Sequence, residues 1–325
     1  MDKDRQEKNI SGEIIRLLPQ NIRCIVEGLR LDFSKVQELR LRVNRPVIIR
    51  MEGGDYFISE KGILTRKNID SININQVQMR EVMEYVSGYS RYAFDNELGA
   101  GYITVQGGHR VGTAGKVISE KGNIKGMANV SFINIRVAHE IKGCAAPVLR
   151  YVMDGDNLYN TLIVSPPGCG KTTLLRDMVR IISDGNEMGG VGKTVGVVDE
   201  RSEIGASYMG VPQNDLGCRS DVLDDCPKAQ GMMMLVRSMA PQVIAVDEIG
   251  GEEDIRALEY VMNCGVRLIA TIHGTDMEEI RHKPIFGRLV NEKKFKRYVI
   301  LGKNGDNYYR KIFDERGSMI AQRKV

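Results

Sequence analysis

The 325-residue sequence predicts an α/β protein with a predominantly parallel sheet, preceded by a smaller α+β domain. Three observations predict it. Between residues 161 and 273, short apolar runs alternate with amphipathic helical stretches, as parallel strands covered on both faces require. A glycine-containing turn, Ser165-Pro166-Pro167-Gly168-Cys169-Gly170, joins the first of those strands to a helix. Ahead of residue 140 the apolar period is mostly two, the pattern of half-buried strands. The domain boundary is expected between residues 142 and 143, at a polar, glycine-containing stretch.

Composition narrows the classes. Hydrophobic residues make up 42% of the chain, enough for a core and short of a membrane protein. No apolar run reaches the roughly 18 residues of a spanning helix. The charged start, Met1-Asp2-Lys3-Asp4-Arg5, has no apolar segment behind it, so no secretory leader is expected. The expected location is cytoplasmic. The six cysteines (Cys24, Cys144, Cys169, Cys218, Cys226, Cys264) form no C-x-x-C pair and have no close histidine to complete a zinc set. They read as reduced thiols. A net charge of +4 is small for this length, and nucleic acid is not the expected partner.

The elements follow in order. Residues 10–30 carry helical spacing broken at Pro19 and predict two short helices. From Glu38, Leu39, Leu41 and Val43 alternate with Arg40, Arg42 and Asn44, as in a strand. Val47–Ile49 and Tyr56–Ile58 are further strands around a Gly53-Gly54-Asp55 turn. Val77–Val86 is helical. Tyr102–Val105, Val111–Ile118 and Phe132–Val137 are strands again, with Gly107-Gly108 and Gly122-Asn123 as turns. Arginines 40, 42, 110 and 136 stud these strands, and a solvated face accounts for any single one. The glycines flanking Arg110 mark a tip held close to something else.

Past a helix at Pro147–Met153, the expected strands are Leu162–Val164, Thr194–Val198, Val243–Val246 and Val266–Ile272. The expected helices are Thr172–Ser183, Lys228–Met239 and Asp254–Asn263. Glu187–Lys193 is a glycine-rich connection, and residues 207–226 read as a long irregular loop of functional character. The methionines at 232, 233, 234 and 239 read as core filling. A basic strip, Lys293-Lys294-Phe295-Lys296-Arg297, precedes a closing hairpin of Tyr298–Leu301 and Tyr308–Phe313.

The chemistry gathers at the ends of the later strands. Strand, glycine turn, Lys171-Thr172 and helix have the form of a phosphate-binding loop. Converging backbone N–H groups and the helix N-terminus attract an anion there. The candidate binding residues are Ser165, Pro166, Pro167, Gly168, Cys169, Gly170, Lys171, Thr172 and Thr173. Lys171 would reach the β- and γ-phosphates, and the Thr172 hydroxyl would hold Mg²⁺. Ser165 stands where that motif has its leading glycine, and a small residue still fits the turn. Val243-Ile244-Ala245-Val246 runs into Asp247-Glu248 at the carboxyl edge of the sheet, where such sheets bind ligands. Asp247 is read as a Mg²⁺ ligand, and Glu248 as the group that orients and polarises the attacking water. Val197-Val198-Asp199-Glu200 repeats the form, with two readings: a second metal-holding edge, or a helix cap. His273 ends another core strand and is expected to hydrogen-bond the terminal phosphate or the water.

These four strand ends, in this order, resemble the RecA-like secretion ATPase superfamily of type II and type IV systems, with its pilus retraction motors. Its Walker A loop, acidic box, Walker B carboxylate and histidine box would be Ser165–Thr172, Asp199–Glu203, Val243–Glu248 and Thr271–Thr275. Arg237 with Pro241 is similar to that family's arginine helix. The chain departs from the pattern in having Ile249-Gly250 for the usual Arg-Asp, and in lacking the type II tetracysteine. Within the superfamily, Glu38–Val43, Gly107–Gly112 and Pro241–Gly250 resemble the stage III sporulation protein AA group, across nearly the whole chain.

The resemblance implies a RecA-like P-loop NTPase domain at 143–325 behind the α+β domain at 1–142. It implies a cytoplasmic ATPase using ATP and Mg²⁺. It further implies a homo-hexamer on the inner face of the membrane, on the mother cell side. That hexamer would dock on a membrane-embedded component of the channel between mother cell and forespore. Nucleotide held between the domains would bring Arg110 or Arg136 to the γ-phosphate, a contact worth roughly 10³–10⁵ in rate. Two other readings stand beside this one. One is a nucleic-acid-dependent ATPase using Lys293–Arg297. The other is a scaffold ring held together by ATP.

Overall fold

Two periods in the sequence become two sheets. In the computed structural model, which describes residues 10–88, 102–120, 123–185, 190–305 and 307–324, the chain divides into units Met1–His139 and Glu140–Val325. Gly122 of the expected turn, and Glu187, Met188 and Gly189 of the expected glycine-rich connection, lie outside the described residues.

In the first unit, β1 (Val36–Arg42), β2 (Ile48–Met51), β3 (Gly54–Ile58), β4 (Leu64–Thr65), β5 (Tyr102–Val105), β6 (His109–Glu120) and β7 (Asn123–Arg136) form one sheet. Its order is β4-β3-β2-β1-β7-β6-β5, with every neighbour antiparallel. Alternation sorts the side chains. Leu39, Leu41, Val111, Ile133 and Ile135 are buried in one core with Ile22 and Val26 of α1 (Gln20–Gly28) and Met79, Val82 and Val86 of α2 (Gln76–Val86). Each such side chain contributes about 1.5–3 kcal/mol by leaving water. Between them come Arg40, Arg42, Arg110, Asn134 and Arg136. Register sets Arg40 opposite Asn134 and Arg110 opposite Arg136. The Gly107-Gly108 tip is a hairpin turn with φ of 85° and 74°. What it is held against is its own unit. Buried His109 accepts the Ala138 N–H on Nδ1 at 3.0 Å, and its Nε2 lies 3.3 Å from Glu13.

In the second unit, β8 (Thr161–Ser165), β9 (Val195–Asp199), β10 (Ser220–Asp224), β11 (Val243–Val246), β12 (Arg267–His273), β13 (Arg297–Asn304), β14 (Asn307–Asp314) and β15 (Met319–Lys324) form a mixed sheet. The order is β10-β9-β11-β12-β8-β13-β14-β15. Neighbours from β10 through β13 are parallel, and β14 and β15 are added antiparallel. Both faces are covered, so every residue of β8, β9 and β11 is buried. Leu162, Val164, Ile244 and Val246 pack with α5 (Lys228–Ser238), α6 (Glu252–Asn263), α7 (Met277–His282) and α8 (Phe286–Asn291). Ile163, Val243 and Ala245 face the other way, toward α3 (Ala146–Val152) and α4 (Lys171–Asp184).

Several expectations are corrected. The loop read at 207–226 contains β10, a parallel partner of β9. Ser220-Asp221-Val222-Leu223-Asp224 is a half-exposed edge strand, so it lacks the apolar run that betrays an interior one. The closing hairpin forms as expected, β13 with β14, but it does not close the sheet, because a further strand, β15, follows it. In the basic strip, Phe295 is fully buried beside Tyr298, and Arg297 stacks 4.0 Å from the Tyr159 ring. The aromatic residue of that strip is therefore core. Met232 fills the core as expected, whereas Met234 and Met239 are exposed. Among the described residues, no helix is long and apolar enough to cross a membrane.

Candidate functional site

The sheet order places β12 between β8 and β11. Register then sets Ser165 beside His273 and Val246 beside Ala270, so the residues leaving β11 fall next to Thr271.

Ser165 is buried, and its hydroxyl donates to the Pro166 carbonyl at 2.6 Å. Pro167, Gly168 and Gly170 are exposed, while Pro166, Cys169 and Thr173 are half-buried. Gly168 and Gly170 have φ of 75° and 83°, the left-handed region that favours glycine. Nothing lies within 4 Å of a Cβ at either position, so the space over the turn is open. Gly170 is the N-cap of α4 and supplies no side-chain cap. The first-turn N–H groups are left for an external acceptor.

Lys171 is only 8% exposed, with Nζ 3.8 Å from Asp247 Oδ1. The Thr172 hydroxyl donates to Asp247 Oδ2 at 2.8 Å. The buried Thr271 hydroxyl donates to Asp247 Oδ1 and accepts the Glu248 N–H at 2.8 Å. Glu248 has φ of 50°, a backbone state that costs a non-glycine residue roughly 1–2 kcal/mol. Its carboxylate meets His273 Nε2 at 2.9 Å and Arg201 Nη1 at 3.1 Å. His273 Nδ1 lies 3.4 Å from the Ser165 carbonyl. A row of polar groups thus runs from the start of the glycine turn through His273 and Glu248 to Arg201. A cleft of about 540 Å³ opens beside it, lined also by Lys228, Lys283 and Phe286.

Asp199 and Glu200, read as a possible second metal edge, are engaged elsewhere. Asp199 is buried, and its oxygens accept the N–H groups of Glu203, Ile204 and Gly205 at 2.8, 2.9 and 2.7 Å. Burial pushes its carboxyl up to about 6 even against those donors. Arg176 of α4 grips the same turn, donating to the carbonyls of Glu203 at 2.7 Å and Ile204 at 2.8 Å. Glu200 is ion-paired with Lys228. No helix directly follows Asp199, so it is not a helix cap; its carboxylate holds the turn at 203–205. Asp199 and Glu200 line a small pocket together with Asp247 and Glu248. Among the described residues, no three His, Cys, Asp or Glu side chains gather as a metal cage. Mg²⁺ bound through one carboxylate and substrate phosphates needs none.

Arg110 and Arg136 belong to the first unit. The Arg110 guanidinium lies 4.9 Å from the Tyr102 ring centroid, and Arg136 Nε lies 3.4 Å from Glu38 Oε1. The sequence reading gives no role to Arg176 or Asp177, and it places Arg201 and Thr271 only within the boxes that the resemblance implies. Asp177 had a readable signal, because a carboxylate on the apolar stripe of Leu174 and Met178 is out of place. It accepts the N–H groups of Gly143 at 3.0 Å and Ala145 at 2.7 Å, and pairs with Arg180. Arg201 finds its partner 47 residues away and leaves no local trace.

The family described as sporulation stage III, protein AA matches residues 6–320. Stage III sporulation protein AA of Bacillus subtilis (strain 168) is 39% identical over 313 residues, covering 96% of this chain and 97% of that protein. Among solved structures, the ATPase DotB of Legionella pneumophila superposes with a TM-score of 0.54 at 14% identity, over 89% of this chain and 78% of its own. The pilus retraction motor PilT, with bound ADP, gives 0.56 at 14% identity, over 90% and 80%. At that identity the likeness carries the fold alone, which the chain shares with these ATPase and motor structures. By its family match and its sporulation relative, the chain belongs to the sporulation stage III protein AA family.

Proposed function

We propose that this chain binds and hydrolyses Mg-ATP, and that hydrolysis powers or assembles the channel complex between mother cell and forespore. The observation that carries the reading is the meeting of Lys171 and Thr172, in the first turn of α4, with Asp247 at the end of β11. An ammonium, a hydroxyl and a carboxylate at an uncapped helix N-terminus match the charges of a metal-bound triphosphate. The open, left-handed glycine turn lets backbone N–H groups approach the phosphates.

In this reading residues 165–173 cradle the phosphates, with Lys171 at the β- and γ-phosphates. Thr172 and Asp247 hold Mg²⁺, which when bound offsets the phosphate charge. Glu248 orients the attacking water and accepts its proton. His273, hydrogen-bonded to Glu248, keeps that carboxylate aimed and meets the terminal phosphate or the water. The family and the fold favour a homo-hexamer on the cytoplasmic side of the membrane, seated on a membrane-embedded component. Arg110 or Arg136 of the first unit would then reach the nucleotide.

Calorimetric ATP titration and turnover test the reading. Lys171→Ala is expected to lose ATP binding. Glu248→Gln is expected to bind ATP near the wild-type affinity and turn over at least about 10²-fold more slowly. Retained binding in Lys171→Ala overturns the site, and equal turnover in Glu248→Gln removes Glu248 from its role. Full sporulation supported by Glu248→Gln would favour a scaffold ring instead.

A further inference from the structure

We propose that Arg201 is a catalytic arginine supplied from within the second unit. It holds Glu248 before nucleotide arrives and transfers to the terminal phosphate afterwards. The inference rests on the Mg-ATP reading above.

Arg201 Nη1 is 3.1 Å from Glu248 Oε2, and the other Glu248 oxygen is 2.9 Å from His273. The guanidinium therefore ends the polar row that begins at the glycine turn. The pair is also exchangeable. The Arg201 side chain is 65% exposed and Glu248 34%, and ion pairs so open to water are weak. A terminal phosphate carries more charge than a carboxylate and offers three acceptor oxygens. A planar guanidinium matches it bidentately, so phosphate displaces Glu248.

The base beneath Arg201 is rigid. Asp199 and Arg176 fix the backbone at Glu203 and Ile204 from both sides. Ser202, with φ of 49°, anchors to Asp224 through its hydroxyl at 2.6 Å. The side chain alone has to move, and it is long and flexible enough to do so. While paired, Arg201 occupies Glu248 Oε2, an oxygen the attacking water would otherwise meet. Once transferred, the same guanidinium neutralises the phosphate and releases Glu248. Arrival of the triphosphate and activation of the base are thereby one event.

The test is ATP turnover and calorimetric ATP affinity for Arg201→Ala and Arg201→Lys, with and without guanidinium chloride far below unfolding concentrations. Arg201→Ala is expected to lose about 10²–10³ in kcat and also to bind ATP more weakly, because the exchange accompanies binding. Arg201→Lys recovers a minor part. Added guanidinium restores part of the rate to Arg201→Ala and none to Glu248→Gln. A kcat for Arg201→Ala within about threefold of wild type, or a loss that guanidinium does not touch, overturns the proposal. Wild-type protein that neither binds nor hydrolyses ATP overturns the Mg-ATP reading with it. A silent Arg201→Ala beside an active wild type overturns this inference alone.

Discussion

β9 and β11 are parallel neighbours, and each runs from a buried strand into Asp-Glu. Asp199, the last residue of β9, meets three backbone N–H groups of the turn that follows it. Asp247 after β11 meets two hydroxyls and a lysine, brought from β12 and α4. The Glu that follows each Asp also differs. Glu200 pairs with Lys228, while Glu248 is shared by Arg201 and His273. Backbone donors are fixed by the chain path, so Asp199 is architecture. Hydroxyl and ammonium partners can be exchanged, and under the proposed reading Asp247 exchanges them for a metal and phosphates. The same dipeptide, at the same edge, takes its role from what stands opposite.

Four substitutions sharpen or break that contrast. Asp199→Ala strands three donors, two of them buried, and is expected to cost about 3 kcal/mol. In a unit of this size that is about 6–12 °C in Tm by thermal unfolding. An unchanged Tm would make Asp199 something other than an anchor. Asp247→Asn is expected to leave Tm within about 2 °C and to lower ATP turnover about 10²-fold, roughly 2.7 kcal/mol in barrier. Thr271→Val, which removes the hydroxyl between Asp247 and the Glu248 N–H, is expected to cost about 1 kcal/mol and about tenfold in turnover. Glu200→Gln, at a residue ion-paired with Lys228, is expected to change turnover by less than about twofold.

The pH dependence separates the two carboxylates again. Burial raises Asp199 from 3.8 to about 6, so the folded chain binds its proton more tightly than the unfolded chain. Stability from this group therefore rises as pH falls from above 6 toward 4, the reverse of an ordinary paired carboxylate. Asp199→Asn cannot titrate, so the Tm advantage of wild type over it should grow on acidification across that window. A shrinking advantage contradicts the burial argument.

Much of the second sheet was legible because burial on both faces leaves apolar runs at 162–164, 195–198 and 243–246. The glycine turn was legible because left-handed backbone demands residues such as Gly168 and Gly170. Edge strands were not. In β10, Asp, Val and Leu sit equally half-exposed, and β15 is mostly exposed, so neither shows an interior pattern. The site was legible only as far as strand ends. That Asp199 turns inward depends on a chain reversal at 203–205, and that Arg201 reaches Glu248 depends on sheet order. Neither leaves a local signature.

The Mg²⁺ dependence of ATP turnover, compared among wild type, Asp247→Asn and Asp199→Asn at a temperature where all three are folded, tests the contrast most directly. Asp247→Asn is expected to need far more Mg²⁺ or to stay inactive at any concentration, while Asp199→Asn follows the wild-type curve. A shifted Mg²⁺ curve for Asp199→Asn beside a normal one for Asp247→Asn would contradict the account.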